Sequence, residues 1–72
     1  MKVGVLAKLK IQPGMNEAFE KAFLSYQQTV IDSESGNIFF GLHRSREDAC
    51  TYTVMEQYDG QAALNIHQSA DY

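Results

Sequence analysis

The chain has 72 residues, with six basic and nine acidic side chains and a formal net charge of −3 at pH 7. A chain of this length forms one domain and buries only about 60% of the surface that its unfolded state exposes, so it is marginally stable alone. The acidic balance lacks the positive surface that non-specific binding to nucleic acid or anionic membranes requires, and the apolar stretches are far shorter than the roughly 20 residues of a membrane span.

Motifs for covalent stapling, metals and cofactors are missing from the sequence. The single cysteine, Cys50, cannot form an internal disulfide, and no Cys/His cluster has the spacing of a metal site. There is no glycine-rich phosphate loop or nucleophile elbow, and no signal-peptide core at the N terminus. We therefore expect a soluble cytoplasmic protein that needs no cofactor, and association between subunits is the remaining way to stabilise it.

Two periodic segments occupy the first half of the chain. In residues 3–11 every odd position is apolar, which predicts a strand with one core face. Gln12, Pro13 and Gly14 then break the pattern and predict a turn. A helix should follow and end in the turn-forming run 32–36. Its apolar stripe consists of Met15, Ala18, Phe19, Ala22, Phe23, Tyr26 and Val30.

The second half predicts a hairpin. Residues 37–44 and 50–58 are rich in β-branched and aromatic side chains, and the polar run 45–49 separates them. If these five residues form the loop, one face of the hairpin has paired side chains. The pairs are Leu42–Tyr52, Phe40–Val54 and Ile38–Glu56. The opposite face carries Phe39, Gly41, His43, Thr51, Thr53 and Met55.

A second, shorter helix is predicted after the hairpin. Asp59 has the residue type and position of an N-cap. The residues at helical spacing after it should face inward. These are Ala63, Ile66, His67 and Ala70.

The order strand, helix, strand, strand, helix predicts an α+β fold of the ferredoxin-like kind, a single domain over residues 1–72 with an antiparallel sheet. The two helices then cover one face of the sheet. The other face carries Leu6, Phe39 and Met55, and apolar area left in water forfeits about 25 cal/mol per Å². We therefore expect a homodimer in which a second copy packs on this face.

Several short runs resemble, in order and spacing, the antibiotic-biosynthesis-monooxygenase (ABM) domain family. They are residues 5–14 (VLAKLKIQPG), 34–37 (ESGN), 42–45 (LHRS), 55–58 (MEQY) and 63–67 (ALNIH). The resemblance implies a dimeric α+β barrel, in which two sheets pack face to face and each subunit keeps a pocket between its own sheet and helices. Members of this group include cofactor-free monooxygenases of quinols and anthrones, isomerases of a phosphorylated sugar, and haem-degrading relatives, so the fold alone does not choose among them.

The sequence differs from the family pattern in two respects. Many members carry a second histidine five residues after the position of His67, and here that residue is Tyr72. The family also usually continues into a fourth strand beside the first one, whereas this sequence stops before it. We therefore expect a chain that is short at its C terminus, with the last family strand missing and the first strand left as an apolar edge.

His67 is the strongest candidate for acid–base chemistry, because an imidazole titrates near neutral pH and this one should point between the sheet and the helices. A packed core histidine is the alternative. Glu56 would lie on the same face, where it could act catalytically, orient His67, or pair with Lys8 or Arg44. Tyr58 could stack on a flat substrate or fill the core. The predicted substrate-binding residues are Ala7, Phe23, Phe40, Tyr52, Val54 and Tyr58.

Three functional hypotheses follow. The leading one is a cofactor-independent monooxygenase of a quinol, phenol or anthrone, since the substrate anion itself reduces O₂ and the protein need only take a proton and exclude water. The second is an isomerase of a phosphorylated sugar, which would need cationic or helix-N-terminal groups for the phosphate. The third is a non-catalytic module that binds a small molecule or dimerises.

Overall fold

A computed structural model describes residues 1–72. The elements along the chain are β1 (Val3–Lys10), α1 (Asn16–Ser33), β2 (Asn37–Arg44), β3 (Thr51–Tyr58) and α2 (Gln61–Gln68). The strands form one antiparallel sheet in which β3 lies between β1 and β2. This arrangement confirms the predicted ferredoxin-like α+β fold, and it leaves β1 at an edge of a three-stranded sheet.

The turn from β1 into α1 depends on a glycine. Gly14 has a φ of +87°, a left-handed conformation that glycine adopts without the steric penalty of a side chain. The backbone N–H of Met15 donates to the carbonyl of Gln12 at 3.2 Å and closes this turn. The chain therefore reverses directly from the edge strand into the helix that covers the sheet.

The core is small and lies between α1 and the β2–β3 half of the sheet. Its centre is formed by Phe23, Val30, Phe40 and Val54, and only eight of the 72 residues are buried. The predicted helix stripe is only partly buried, because α1 packs mainly against β2 and leaves its β1-facing side open. The exposed members of that stripe are Met15, Ala18 and Ala22.

The β2–β3 register differs by two residues from the prediction. Phe40 lies opposite Glu56 and Leu42 opposite Val54. The cause is the loop, in which the carboxylate of Asp48 accepts the backbone N–H of Cys50 at 2.9 Å and thereby holds the residues before β3 outside the ladder. A shift of two residues does not by itself change the face on which a side chain lies.

A β-bulge at the start of β2 overturns one of the predicted pairs. The register changes between Asn37 and Phe39, and Ile38 between them is 48% exposed. Ile38 therefore does not pair with Glu56 on the inner face, and Phe40 takes that position. Bulges place an extra residue in one strand and turn its side chain away from the ladder.

Helix α2 also differs in detail from its prediction. Its N-cap is Gly60 rather than Asp59, and no side chain caps it. Leu64 is buried, whereas Ile66, predicted to face inward, is 62% exposed. The inward face of this helix is therefore set by Leu64 and His67, which lie three residues apart.

The face of the sheet opposite the helices is apolar and open. Leu6 is 74% exposed, Phe39 48% and Met55 38%. The Phe39 ring lies over Gly41, where a Cβ would come within 2.8 Å of it, and its centroid is 6.2 Å from that of His43. The structure thus contains the uncovered apolar surface that the sequence predicts.

Neither helix is long and apolar enough to cross a membrane. The cytoplasmic location stays a prediction.

Gly36→Ala should destabilise the fold, because an added Cβ would lie 2.5 Å from the Cβ of Ala63 and force α2 away from the sheet. Overpacking of this kind costs about 1–3 kcal/mol, which urea denaturation followed by circular dichroism would measure. Adding Ala63→Gly removes the opposing methyl group and should recover most of the loss, apart from the ~1 kcal/mol that glycine costs inside a helix. Strictly additive effects of the two substitutions would contradict this contact.

Candidate functional site

His67 lies in the last turn of α2 and is anchored by a carboxylate from the end of α1. Its Nδ1 atom is 2.9 Å from Oε2 and 3.1 Å from Oε1 of Glu34. The side chains are 13% and 3% exposed, respectively. The pair therefore joins the two helices through a contact from which water is largely excluded.

A second carboxylate faces the other nitrogen of the ring. Nε2 of His67 is 3.7 Å from Oε1 of Glu56, which is beyond hydrogen-bond distance. The same Oε1 atom accepts a hydrogen bond from the Tyr58 hydroxyl at 2.6 Å. The imidazole thus lies between two carboxylates and has a hydrogen-bonded partner on one nitrogen only.

The position of Glu56 decides between the partners predicted for it. Neither Lys8 nor Arg44 pairs with Glu56, and Arg44 instead lies 3.8 Å from Glu20. Glu56 instead lies beside His67 without a hydrogen bond to it. Its catalytic assignment, like that of His67, stays a prediction.

Aromatic rings surround the imidazole. The ring centroids of Phe40 and Tyr58 are each 5.4 Å from that of His67, and the centroid of Tyr26 is 6.3 Å away. Such a surround excludes water and strengthens the electrostatic interactions inside it. No group of three or more His, Cys, Asp or Glu side chains is arranged to hold a metal ion.

Tyr72 also belongs to this cluster. Its hydroxyl donates to Oε2 of Glu34, the oxygen nearest His67, and its ring centroid is 6.1 Å from that of Tyr26. The hydrogen bond to Glu34 is the main cause that raises the pKa of Tyr72 to about 12. The Tyr72 hydroxyl is therefore a proton donor in a hydrogen bond at neutral pH.

The other two tyrosines of the cluster are likewise held in their neutral forms. Burial, followed by the hydrogen bond to Glu56, raises the pKa of Tyr58. Burial, followed by the negative charges of Glu34 and Glu56, raises the pKa of Tyr26. Both phenols thus remain uncharged next to the carboxylates.

Most of the predicted substrate-binding residues are packed into the core. Phe23, Phe40 and Val54 are buried together, with Ala7 packed against them, and Tyr58 is fully buried. None of these five lines either of the two cavities in the structure. Their role in binding a substrate therefore stays a prediction, and His67 is surrounded by packed rings rather than by an open pocket.

The larger cavity is a groove between α1 and the hairpin. It has a volume of about 320 Å³ and is lined by Glu20, Leu24, Leu42, Arg44 and Tyr52. Of the predicted binding residues, it contains only Tyr52. The Tyr52 hydroxyl donates to Glu20 at 2.5 Å and accepts from Asn16 at 2.8 Å, so this side chain fastens α1 to β3.

The smaller cavity adjoins the anchoring carboxylate. It has a volume of about 200 Å³ and is lined by Ser33, Glu34, Ser35, Gly36, Ala63 and Ile66. It lies where the end of α1, the start of β2 and helix α2 meet.

Sequence reasoning did not select Glu34 as a site residue, because a glutamate in a turn-forming run is normally solvated. A signal was nevertheless present. Phe23, Val30 and Glu34 are spaced by seven and four residues, so Glu34 continues the buried stripe of α1 one turn further. A charged residue at such a position needs a buried partner, and His67 supplies it.

The fold and this cluster define the class: a ferredoxin-like α+β domain with a largely buried histidine that lies between two carboxylates. Residues 2–72 match the family model described as antibiotic biosynthesis monooxygenase. The chain belongs to this family. None of the curated proteins matches the chain significantly.

Solved structures share the fold over nearly the whole chain. A candidate antibiotic biosynthesis monooxygenase from Caulobacter crescentus CB15 is 38% identical, with a TM-score of 0.93 over 99% of this chain and 67% of that one. Another from Bordetella bronchiseptica is 26% identical, with a TM-score of 0.76 over 97% and 72% of the two chains. A heme-degrading protein from Mycobacterium tuberculosis is 18% identical, with a TM-score of 0.80 over 100% and 83%, and shows the fold alone.

All four tyrosines should ionise at higher pH in the folded chain than in the unfolded one, because burial or a nearby carboxylate raises each pKa. A raised pKa stabilises the fold fully below the unfolded value of about 10. This contribution is lost as the pH rises from about 10 through the pKa values of the folded chain, of which that of Tyr72 is about 12. Near-ultraviolet absorbance of tyrosinate measures the ionisation, and circular dichroism recorded on the same samples measures the unfolding. Free titration near pH 10 in a folded chain would contradict the prediction.

Proposed function

We propose that the chain is a cofactor-independent monooxygenase that acts on an electron-rich aromatic substrate such as a quinol, phenol or anthrone. The observation that carries this proposal is the imidazole of His67, which is held at Nδ1 by a buried carboxylate and has no hydrogen bond at Nε2. Membership of the ABM family supports it. So does the 38% identity to the candidate monooxygenase from Caulobacter crescentus.

In the proposed reaction His67 takes the first proton of the substrate at Nε2. For an anthrone, the carbanion formed at the methylene carbon passes its electrons to O₂. That carbon gains one oxygen atom and becomes a carbonyl, while the other oxygen atom leaves as water with the two hydrogens of the methylene group. The protein needs to supply a base and a dry site, and Tyr26, Phe40 and Tyr58 provide the apolar rings around it.

Substrate entry under this proposal requires that α2 move. His67 lines neither cavity, so an aromatic molecule reaches Nε2 only when the packed rings separate. Helix α2 has eight residues, Leu64 is its most buried residue, and it has no side-chain cap. Apart from Leu64 and the contacts of His67, little holds this helix to the rest of the domain. Local opening of such an element costs less free energy than unfolding of the core.

We also propose that the protein is a homodimer that buries the outer face of the sheet. Leu6, Phe39 and Met55 are exposed there. A chain with only eight buried residues has a small core, so covering this apolar surface would add substantially to its stability. Dimerisation through this face is also what the family resemblance implies. It would leave the helices and His67 on the outside of the pair.

The alternative functions have less support in the geometry. A phosphorylated-sugar isomerase needs cationic groups near its base, yet Arg44 is 3.8 Å from Glu20 in the remote groove and no lysine or arginine forms an ion pair in the His67 cluster. A binding module without catalysis would use the groove between α1 and the hairpin, or the His67 cluster itself. Ligand-induced stabilisation without turnover would identify that case.

The oxygenase proposal predicts O₂ uptake with a panel of quinols, phenols and anthrones, measured by an oxygen electrode in chelator-treated buffer. His67→Ala should lower the rate on the order of 10²-fold or more, the low end of what a positioned general base contributes. Gln68→Ala, at an exposed position on the same helix turn, is the matched control and should retain the rate. Absence of uptake across the panel, or an unchanged rate in His67→Ala, would sink the proposal.

The dimer proposal predicts that sedimentation of the wild-type chain at low micromolar concentration gives twice the monomer mass. Met55→Lys places a charge on the outer face of the central strand and should shift the equilibrium to monomer, because an unpaired charge is costly in an apolar interface. Ile31→Lys, at a position 55% exposed on α1, should leave the mass unchanged. A stable wild-type monomer would refute the proposal.

A further inference from the structure

The carboxylate of Glu34 is within hydrogen-bond distance of two side chains, and this determines which of their atoms carry a hydrogen. With Glu34 as an ionised carboxylate, which only accepts hydrogen bonds, the hydrogen of the 2.9 Å contact is on Nδ1 of His67. The second donor is the hydroxyl of Tyr72. The contact with Glu34 therefore selects the protonation state of one particular ring nitrogen.

The backbone holds Glu34 on both sides. Its N–H donates to the carbonyl of Val30 at 2.9 Å, which closes the last turn of α1. Its own carbonyl accepts the N–H of Asn37 at 3.2 Å, at the first residue of β2. The backbone of Glu34 is consequently fixed between a helix end and a strand start, which limits the positions of its carboxylate as the orientation of a second side chain requires.

The carboxylate of Glu34 can be buried only because hydrogen-bond donors contact it. Its side chain is 3% exposed, and an ionised group removed from water to that extent must be paired and hydrogen-bonded. His67 supplies one donor and Tyr72 the other. The high pKa of the Tyr72 hydroxyl keeps that donor in place over the whole neutral range.

We infer that Glu34 is a positioning residue, which holds His67 in the tautomer with hydrogen on Nδ1 and thereby leaves Nε2 as the proton acceptor. The kinetic part of this inference rests on the proposed function. When Nε2 takes a proton, the ring becomes an imidazolium with Glu34 on one side and Glu56 at 3.7 Å on the other. The two carboxylates thus have separate tasks: Glu34 sets the tautomer before proton transfer, and Glu56 faces the charge that the transfer creates.

The tautomer can be measured without any substrate. Long-range ¹H–¹⁵N spectra of the histidine rings distinguish a protonated ring nitrogen from an unprotonated one, and the chain has only two histidines. A His67→Gln spectrum assigns the signals, and the exposed His43 serves as an internal reference. At a pH where the rings are neutral, we expect hydrogen on Nδ1 and none on Nε2 for His67.

Glu34→Gln should relax this preference, because an amide can turn its NH₂ group toward Nδ1 and accept the other tautomer. Glu47→Gln, at an exposed loop position, is the matched control and should change nothing. Hydrogen on Nε2 in the neutral wild-type ring, or both nitrogens protonated wherever the fold persists, would overturn the inference. An unchanged tautomer in folded Glu34→Gln would overturn it as well. If Glu34→Gln does not fold, the wild-type spectrum still decides.

Turnover adds a second, separable result. If the chain consumes O₂ with a substrate of the panel, Glu34→Gln should lower kcat by on the order of 10²-fold with little change in KM, and Glu34→Asp, which keeps the charge, should recover part of the loss. Equal kcat in wild type and Glu34→Gln would overturn the inference while the proposed function stands. A tautomer controlled by Glu34 in a chain that consumes no O₂ would refute the proposed function and keep the tautomer assignment.

Discussion

The contact between Glu34 and His67 is the interaction that joins helix α2 to the C-terminal end of α1. It lies between the last residue of the α1 region and the last turn of α2, and both partners are largely removed from water. A carboxylate in such a place is tolerated only when it is paired. Glu34 therefore contributes both to the stability of α2 in its position and to the orientation of the imidazole of His67.

The domain has a small core, and a large part of its apolar surface remains exposed on the sheet. Only eight residues are buried, and three large apolar side chains of the sheet remain open on the face away from the helices. The central strand β3 links this face to the site, since Met55 points outward and its neighbour Glu56 points toward His67. A partner packed on the outer face would restrain the strand that carries one of the two carboxylates.

Much of the fold could be predicted because period-two and helical patterns report which side of an element is buried. They placed β1, β2 and β3 within one residue of their ends and assigned the inner and outer faces of the sheet, except at Ile38. The register could not be obtained in this way, since it depends on how Asp48 caps the loop before β3. The bulge at Ile38 and the choice of Leu64 over Ile66 likewise depend on tertiary packing that no local pattern encodes.

The inward positions of His67 and Glu56 were predicted from the sequence, whereas the inward position of Glu34 was not. His67 and Glu56 follow from an inward helix position and an inward strand position, and the structure brings them together. Glu34 was missed because a glutamate beside serine and glycine is typical of a solvated turn. Only the packing of α2 across the end of α1 makes that residue internal.

Tyr72, which stands where many family members carry a second histidine, cannot serve as a second base at neutral pH. A histidine there could accept a proton, whereas Tyr72 has a pKa of about 12 and is bound as a donor to Glu34. Tyr26 and Tyr58 are neutral for related reasons, because burial and the carboxylates raise their pKa values. The phenols of the cluster therefore act as hydrogen-bond donors or apolar walls at neutral pH. Under the proposed function, the base is then the ring nitrogen without a hydrogen bond, Nε2 of His67.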